Sequence, residues 1–392
     1  MKQKIINKYC IGCGLCQSVQ DFSGRVDEDG FWRPEIEKKD NLDFFESVCP
    51  MSRTSFEKLD TNSIWGKYEK LYLGYASEKE IRTHASSGGV LTALCIYLLE
   101  KNIIDGVLHT KVSDSSCIET TNCCSDSKEK LMDACGSRYS ISHPLNNIIQ
   151  SIDLKKRYVF IGKPCDVTAL NNFLEINSEL KKNIIYTFSF FCAGLPSKMA
   201  NQKLLKSLDV DEENCASLTY RGDGWPGKVT AIDKKGNVHK MEYADAWGGI
   251  LGRDINPFCR VCMDGIGERA DVSCGDGWYL DENNEPDFEE KDGRNIIFAR
   301  TNKGQQVIYD ASEAGYLDLF EFNDLKQLKA MQKYQFERKA TMLEKIIALR
   351  MMFRTSPEYS IFRLRNFHIG ISIKRRIRLF VGSIKRIIKG RM

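Results

Sequence analysis

The sequence has no apolar run approaching the roughly 20 residues that cross a bilayer. It also has no apolar stretch ahead of Cys10 that would act as a secretory leader, so an unexported, cytoplasmic chain with reduced thiols is expected. Histidine is scarce: five residues, scattered, with no Ser-His-Asp order and no conspicuous pair of carboxylates beside them. Nothing therefore points to hydrolytic chemistry. Solenoid-type repeats and low-complexity blocks are missing too. What stands out instead is cysteine, 15 residues in 392. In a reducing compartment such thiols read as metal or redox ligands before they read as disulfides.

Residues 8–16 read KYCIGCGLC. Gaps of two residues let Cys10, Cys13 and Cys16 bind different irons of one [4Fe–4S] cluster, and Gly12 and Gly14 permit the tight backbone path. The fourth thiol of a ferredoxin-type run is absent nearby, but SVCPMS supplies a Cys-Pro pair, which makes Cys49 the candidate. Zinc is the alternative, though it favours CxxC pairs separated by a longer loop.

From about residue 70 the pattern alternates strand and helix: KLYLGYAS, then SSGGVLTALCIYLLEKN, then IIDGVLHTKV, KRYVFIG and NIIYTFSFFC. This predicts an α/β fold with a mostly parallel sheet. Cys165 and Cys192 each follow an apolar strand, and in an open parallel sheet such strand ends share one edge. CRVC adds Cys259 and Cys262, so a second four-thiol set is expected, with Cys274 as a substitute. Zinc here, or Cys165 and Cys192 as small buried hydrophobes, are the competing readings. Cys95 reads as core. Cys123 and Cys124 read as incidental thiols in a polar loop, and Cys117, Cys135 and Cys215 have no ligand spacing.

Ser86, Ser87, Gly88 and Gly89 stand at a helix start, where free N–H groups attract phosphate, although the same residues serve as a plain cap. In ACGSRYSIS, Arg138 could meet a phosphate and Tyr139 a ring, or both could belong to a surface loop. His84 is a candidate donor to a bound ring, or a structural residue. Residues 217–243 read as a small antiparallel insertion around a Lys-Gly-Asn turn. Beyond Glu358 no acid remains and ten Lys or Arg follow. There Ile373, Ile377, Phe380, Val381, Ile384 and Ile388 form one helical stripe, the pattern of a helix on an anionic membrane. Packing on the body and nucleic-acid binding are the alternatives, and no nucleic acid is expected. The expected units are 1–60, 65–325 and a helical tail, 326–392.

Taken in order, CxxCxxC, SSGGVLTALC, GSRYSIS, IGKPCDVTAL, FFCAGLPS, RGDGWPG and CRVCMDGIGERADVSCGD resemble the β-subunits of coenzyme F420-reducing hydrogenases and dehydrogenases. Plant 7-hydroxymethyl chlorophyll a reductase and bacterial homologues associated with surface-polysaccharide synthesis share that architecture. The resemblance implies an N-terminal ferredoxin-like iron–sulphur segment on a flavin-binding core. It implies FAD lined by Ser87, Gly88, Gly89, Arg138 and Tyr139. One [4Fe–4S] cluster would sit on Cys10, Cys13, Cys16 and Cys49, and a second on Cys165, Cys192, Cys259 and Cys262. Electrons would pass from a ferredoxin-like donor through the clusters to FAD and a small-molecule acceptor. The alternative is an electron-transfer subunit that docks a partner enzyme. Lys163 departs from the family, whose members commonly carry Thr there. The expected location is the cytoplasm, with peripheral contact at the inner membrane face.

Overall fold

In this computed structural model the described residues are 2–20, 23–35, 42–367 and 371–390. Their strands are β1 (Gly24–Val26), β2 (Trp32–Pro34), β3 (Lys70–Ala76), β4 (Gly106–Val112), β5 (Thr120–Ser125), β6 (Tyr158–Gly162), β7 (Ile184–Phe190), β8 (Cys215–Thr219), β9 (Lys228–Asp233), β10 (Val238–Glu242), β11 (Val272–Asp276), β12 (Asn295–Ala299) and β13 (Leu317–Glu321). The large sheet runs β13-β3-β12-β11-β7-β6-β4-β5. At its centre β4, β6, β7 and β11 are mutually parallel, as the alternating pattern predicts. Both flanks are antiparallel: β5 on β4, and β12, β3 and β13 on the far side. The link from Val112 to Thr120 is too short for a crossover helix, so that pair closes as a hairpin. It also places Cys123 and Cys124 in an edge strand rather than the polar loop the sequence suggested.

Period-two alternation decides which face each strand residue serves. Val107 and Val159 join Leu94, Ile96, Val272 and Ile297 in one core, while Leu108 and Phe160 join Val167, Leu170 and Phe173 in another. The helix Val90–Glu100 is buried on most sides and fills the first core. The helix Pro164–Ile176 fills the second. A separate sheet, β10-β9-β8, is the expected antiparallel insertion. Its turn is fixed by Asp233, whose carboxylate accepts from the backbone N–H groups of Lys235 and Asn237 at 2.9 and 2.8 Å.

The C-terminal segment is helical as expected. Leu328, Met342, Ile346, Leu349, Leu364 and Phe367 lie in one apolar core with Ile5, Ile6, Trp65 and Phe298. Tyr359 donates to the Val261 carbonyl at 3.0 Å, and Arg363 donates to the carbonyls of Glu57 and Leu59. Residues 368–370 and 391–392 of the expected tail lie outside the described residues. The last helix, Ile373–Ile388, divides the stripe read from the sequence. Phe380 and Ile384 pack on the core beside buried Ser383 and Ile387, whereas Ile373, Ile377, Val381 and Ile388 are exposed. Ion pairs from Arg375 to Glu337 and from Arg376 to Glu344 hold the helix on the body.

Candidate functional site

The N-terminal thiols are set by their own loop. Gly12 and Gly14 have φ of +70° and +84°, a region that disfavours side chains. A Cβ on Gly14 would also meet the Asn146 backbone nitrogen at 2.8 Å. The Cys13 carbonyl accepts from Leu145 N–H at 2.8 Å, and the Gly12 carbonyl sits 2.7 Å from His143 Nδ1. Cys49 follows the helix Leu42–Val48 and donates its backbone N–H to the Phe45 carbonyl. Cys10, Cys13, Cys16 and Cys49 then line one small apolar cavity with Trp32, Phe44, Phe45 and Met51. Burial raises all four thiols, Cys16 to about 12, and the neighbouring thiolates raise Cys13 and Cys49 further. Four such groups ionise together only around a cation, which is the donor chemistry of an iron–sulphur cluster.

The second set is assembled by the sheet. Since β6 and β7 are adjacent and parallel, Gly162 stands opposite Ser189, and the segments carrying Cys165 and Cys192 leave the same edge. Cys165 opens the helix Pro164–Ile176, and Cys192 N–H donates to the Gly265 carbonyl at 2.9 Å. Asn256 caps the short helix Pro257–Arg260, which carries Cys259, and Leu195 N–H donates to Cys259 Sγ at 3.3 Å. Burial again raises these thiols, Cys259 and Cys262 to about 12. Beside the larger effect of burial, the charges of Cys192 and Cys262 raise both Cys165 and Cys259 further. Cys274 instead neighbours Cys95 in the core. Among the described residues no three His, Cys, Asp or Glu side chains form a site for a single metal ion.

The two sets are close neighbours. The side chain of Asn256 donates to the Cys10 carbonyl at 2.8 Å, and Pro50, next to Cys49, lines a cavity shared with Cys165 and Cys262. Cys192 in turn lines a cleft of about 800 Å³ above the sheet edge, a volume typical of cofactor sites. Ser87, Gly89, Arg138 and Tyr139 line this cleft. Gly88 does not; a Cβ there would collide with the backbone of Arg294 and Asn295 at 2.8 Å, so its glycine serves helix–strand packing. Gly89, at φ +75°, starts the helix Val90–Glu100. Two buried polar atoms, Ser86 Oγ and Arg138 Nε, lack a hydrogen-bond partner among the described residues. His84 is turned elsewhere, 2.9 Å from an Asp223 carboxylate oxygen.

Buried cations distinguish the second set. Lys163 Nζ lies 2.7 Å from Asp166 and donates to Ser142 Oγ at 2.6 Å. Burial works against its charge, but Asp166 and the Cys165 thiolate outweigh burial and raise its pKa. Arg338 donates to the Cys192 carbonyl at 3.0 Å and to Gln335 Oε1 at 2.6 Å. Its guanidinium fills the space over Gly265, where a Cβ would fall 1.0 Å from Nη2. Sequence reasoning missed Arg338, Tyr334 and Gln335 because they come from a helix with no local motif. It also missed the aromatic wall of Tyr243, Trp247 and Trp278, and Arg221, which pairs with Asp276 at 3.0 Å.

Comparison with known proteins agrees with this architecture. Residues 71–150 match the family described as coenzyme F420 hydrogenase/dehydrogenase, beta subunit N-term, and residues 155–325 match its C terminus. The chain is 25% identical over 297 residues to the coenzyme F420 hydrogenase subunit beta of Methanococcus voltae, covering 73% of this chain and 96% of that protein. It is 26% identical over 347 residues to a coenzyme F420-dependent sulfite reductase of Methanocaldococcus jannaschii, covering 84% of this chain and 50% of that protein. A chain of the F420-reducing [NiFe] hydrogenase complex from Methanosarcina barkeri has the same fold, with a TM-score of 0.57 at 21% identity, over 75% of this chain and 97% of that one. With both halves of the family matched in order along one folded core, the chain belongs to the coenzyme F420 hydrogenase/dehydrogenase β-subunit family.

Proposed function

We propose that the chain is an iron–sulphur flavoprotein oxidoreductase. Electrons from a ferredoxin-like donor would enter at Cys10, Cys13, Cys16 and Cys49, move to Cys165, Cys192, Cys259 and Cys262, and reach FAD and a small-molecule acceptor in the cleft. One observation carries this reading: Cys192 belongs both to the second thiol set and to the wall of the cleft, while Pro50 ties the first set to the second. Bound FAD would join one-electron delivery to two-electron reduction.

The protein's own residues have separable tasks. The N–H groups that open the helix Val90–Glu100, with Ser86, Ser87 and Arg138, would bind phosphate. Lys163, kept protonated by Asp166, would hold positive charge at the cleft floor where negative charge accumulates on reduction. Tyr334 and Gln335 lie over the same cleft and would limit water there. A second reading, an electron-transfer subunit without its own substrate, is favoured because the relative from Methanococcus voltae is named as a subunit and the solved neighbour is a complex. The two readings separate on anaerobic mixing with reduced ferredoxin and small acceptors. Turnover by the isolated chain supports the first, and turnover only with an added partner enzyme supports the second. Failure of reduced ferredoxin to bleach bound flavin would reject both.

A further inference from the structure

The helix Ile373–Ile388 offers an apolar face that is left exposed among the described residues. Ile373 is 75% exposed, Ile377 59%, Val381 42% and Ile388 68%. At ~100° per residue these four fall within an arc of about 80°. Exposed large apolar side chains gather in this part of the chain: seven of nineteen among the described residues lie between Met351 and Ile388. Single exposed aliphatics are ordinary, but an aligned run on one helix is not.

The charge beside the stripe is of one sign. Lys374, Arg378, Lys385 and Lys389 are exposed and fall on the arc next to it, between about 100° and 160°. Among the described residues none of the four pairs with a carboxylate, whereas Arg375 and Arg376, turned toward the body, pair with Glu337 and Glu344. No acid follows Glu358 in the chain to neutralise them. The helix is thus held on the body by Phe380, Ser383, Ile384 and Ile387, an arc from about 280° to about 20° that adjoins the exposed stripe and shares its edge at Ile384. It also lies beyond residue 325, where the family match ends.

We infer that this face docks on an anionic phospholipid bilayer. Ile373, Ile377, Val381 and Ile388 would enter the headgroup–acyl boundary, and Lys374, Arg378, Lys385 and Lys389 would lie on the lipid phosphates. Charge complementarity chooses this occupant, since a purely apolar partner would leave the four cations without counter-charge. No helix among the described residues is long and apolar enough to cross a membrane, so the contact is one of surface only.

The test is flotation of the full chain with phosphatidylglycerol-rich vesicles and, in parallel, with pure phosphatidylcholine vesicles. The wild type is expected to float with the anionic vesicles at least tenfold more than with the neutral ones. Ile377→Ser/Val381→Ser is expected to lose at least tenfold of that binding, and Lys374→Ser/Arg378→Ser/Lys385→Ser/Lys389→Ser to lose most of its preference for anionic lipid. All six side chains are exposed, and a melting temperature equal to that of the wild type would show both variants folded. Equal flotation of wild type and variants, or no flotation of the wild type, would overturn the inference. So would concentration-dependent dimers lost in Ile377→Ser/Val381→Ser, or binding to nucleic acid in place of lipid.

Discussion

The two cysteine sets solve the same problem from opposite starting points. Three thiols of the first lie within seven residues on a glycine loop, and the cavity around them is apolar. The second draws single thiols from two strand ends, Cys259 from a distant short helix and Cys262 from the segment after it, and buried Lys163 and Arg338 border it. A local loop places ligands without help from the rest of the fold. A site built on a sheet edge depends on the whole sheet, but it gains access to side chains that tune charge. On the proposed electron path, the first set would be the simpler relay and the second the adjustable one facing the cleft.

Removing a ligand from either set should have the largest effect. Cys192→Ser is expected to stop electron delivery to the cleft, and Cys16→Ser to block entry from the donor. Both should retain flavin. Anaerobic stopped-flow bleaching of the flavin absorbance with reduced ferredoxin checks this, and dithionite, small enough to bypass the first set, should still reduce the flavin in Cys16→Ser alone.

A smaller effect separates the sets by stability. Lys163→Met leaves Asp166 buried without its partner, at a cost of about 3–5 kcal/mol. Melting temperature should fall accordingly, and Lys163→Met/Asp166→Leu should recover much of the loss. Smaller again is the effect of Arg338→Gln. Losing a cation beside the second set should lower its midpoint potential by about 60 mV, a tenfold step for a one-electron couple, and leave the first set unchanged. Potentiometric titration followed by electron paramagnetic resonance resolves the two.

A separate effect concerns pH. Glu268 is buried with Lys339, and burial raises its carboxyl from 4.5 to about 7 in spite of that cation. The folded chain therefore binds this proton more tightly than the unfolded chain, so stability declines as pH rises from about 4.5 to about 7. Glu268→Gln should flatten that part of a plot of melting temperature against pH.

These contrasts follow what could be read in the sequence. The grouping of Cys10, Cys13, Cys16 and Cys49 around one cavity was legible in the two-residue gaps and in the Cys-Pro pair. The parallel centre of the sheet followed from strand–helix alternation, and with it the meeting of Cys165 and Cys192. Gly88 packs against the backbone of Arg294 and Asn295, and a glycine that serves packing looks the same in sequence as one that serves a ligand. Cys123 and Cys124 were misplaced because β5 is a polar edge strand with weak alternation. Arg338 was invisible, since its role depends on a C-terminal helix folding back over Gly265. The stripe on the last helix was seen as one face because periodicity cannot tell which half will meet the body.

Iron, sulphide and flavin content after anaerobic isolation decides whether both thiol sets carry clusters beside a flavin. About eight irons and one FAD per chain are expected, falling to about four irons in Cys13→Ser and in Cys165→Ser, with flavin kept in each. A colourless chain that binds no iron, or variants that hold as much iron as the wild type, would contradict that expectation.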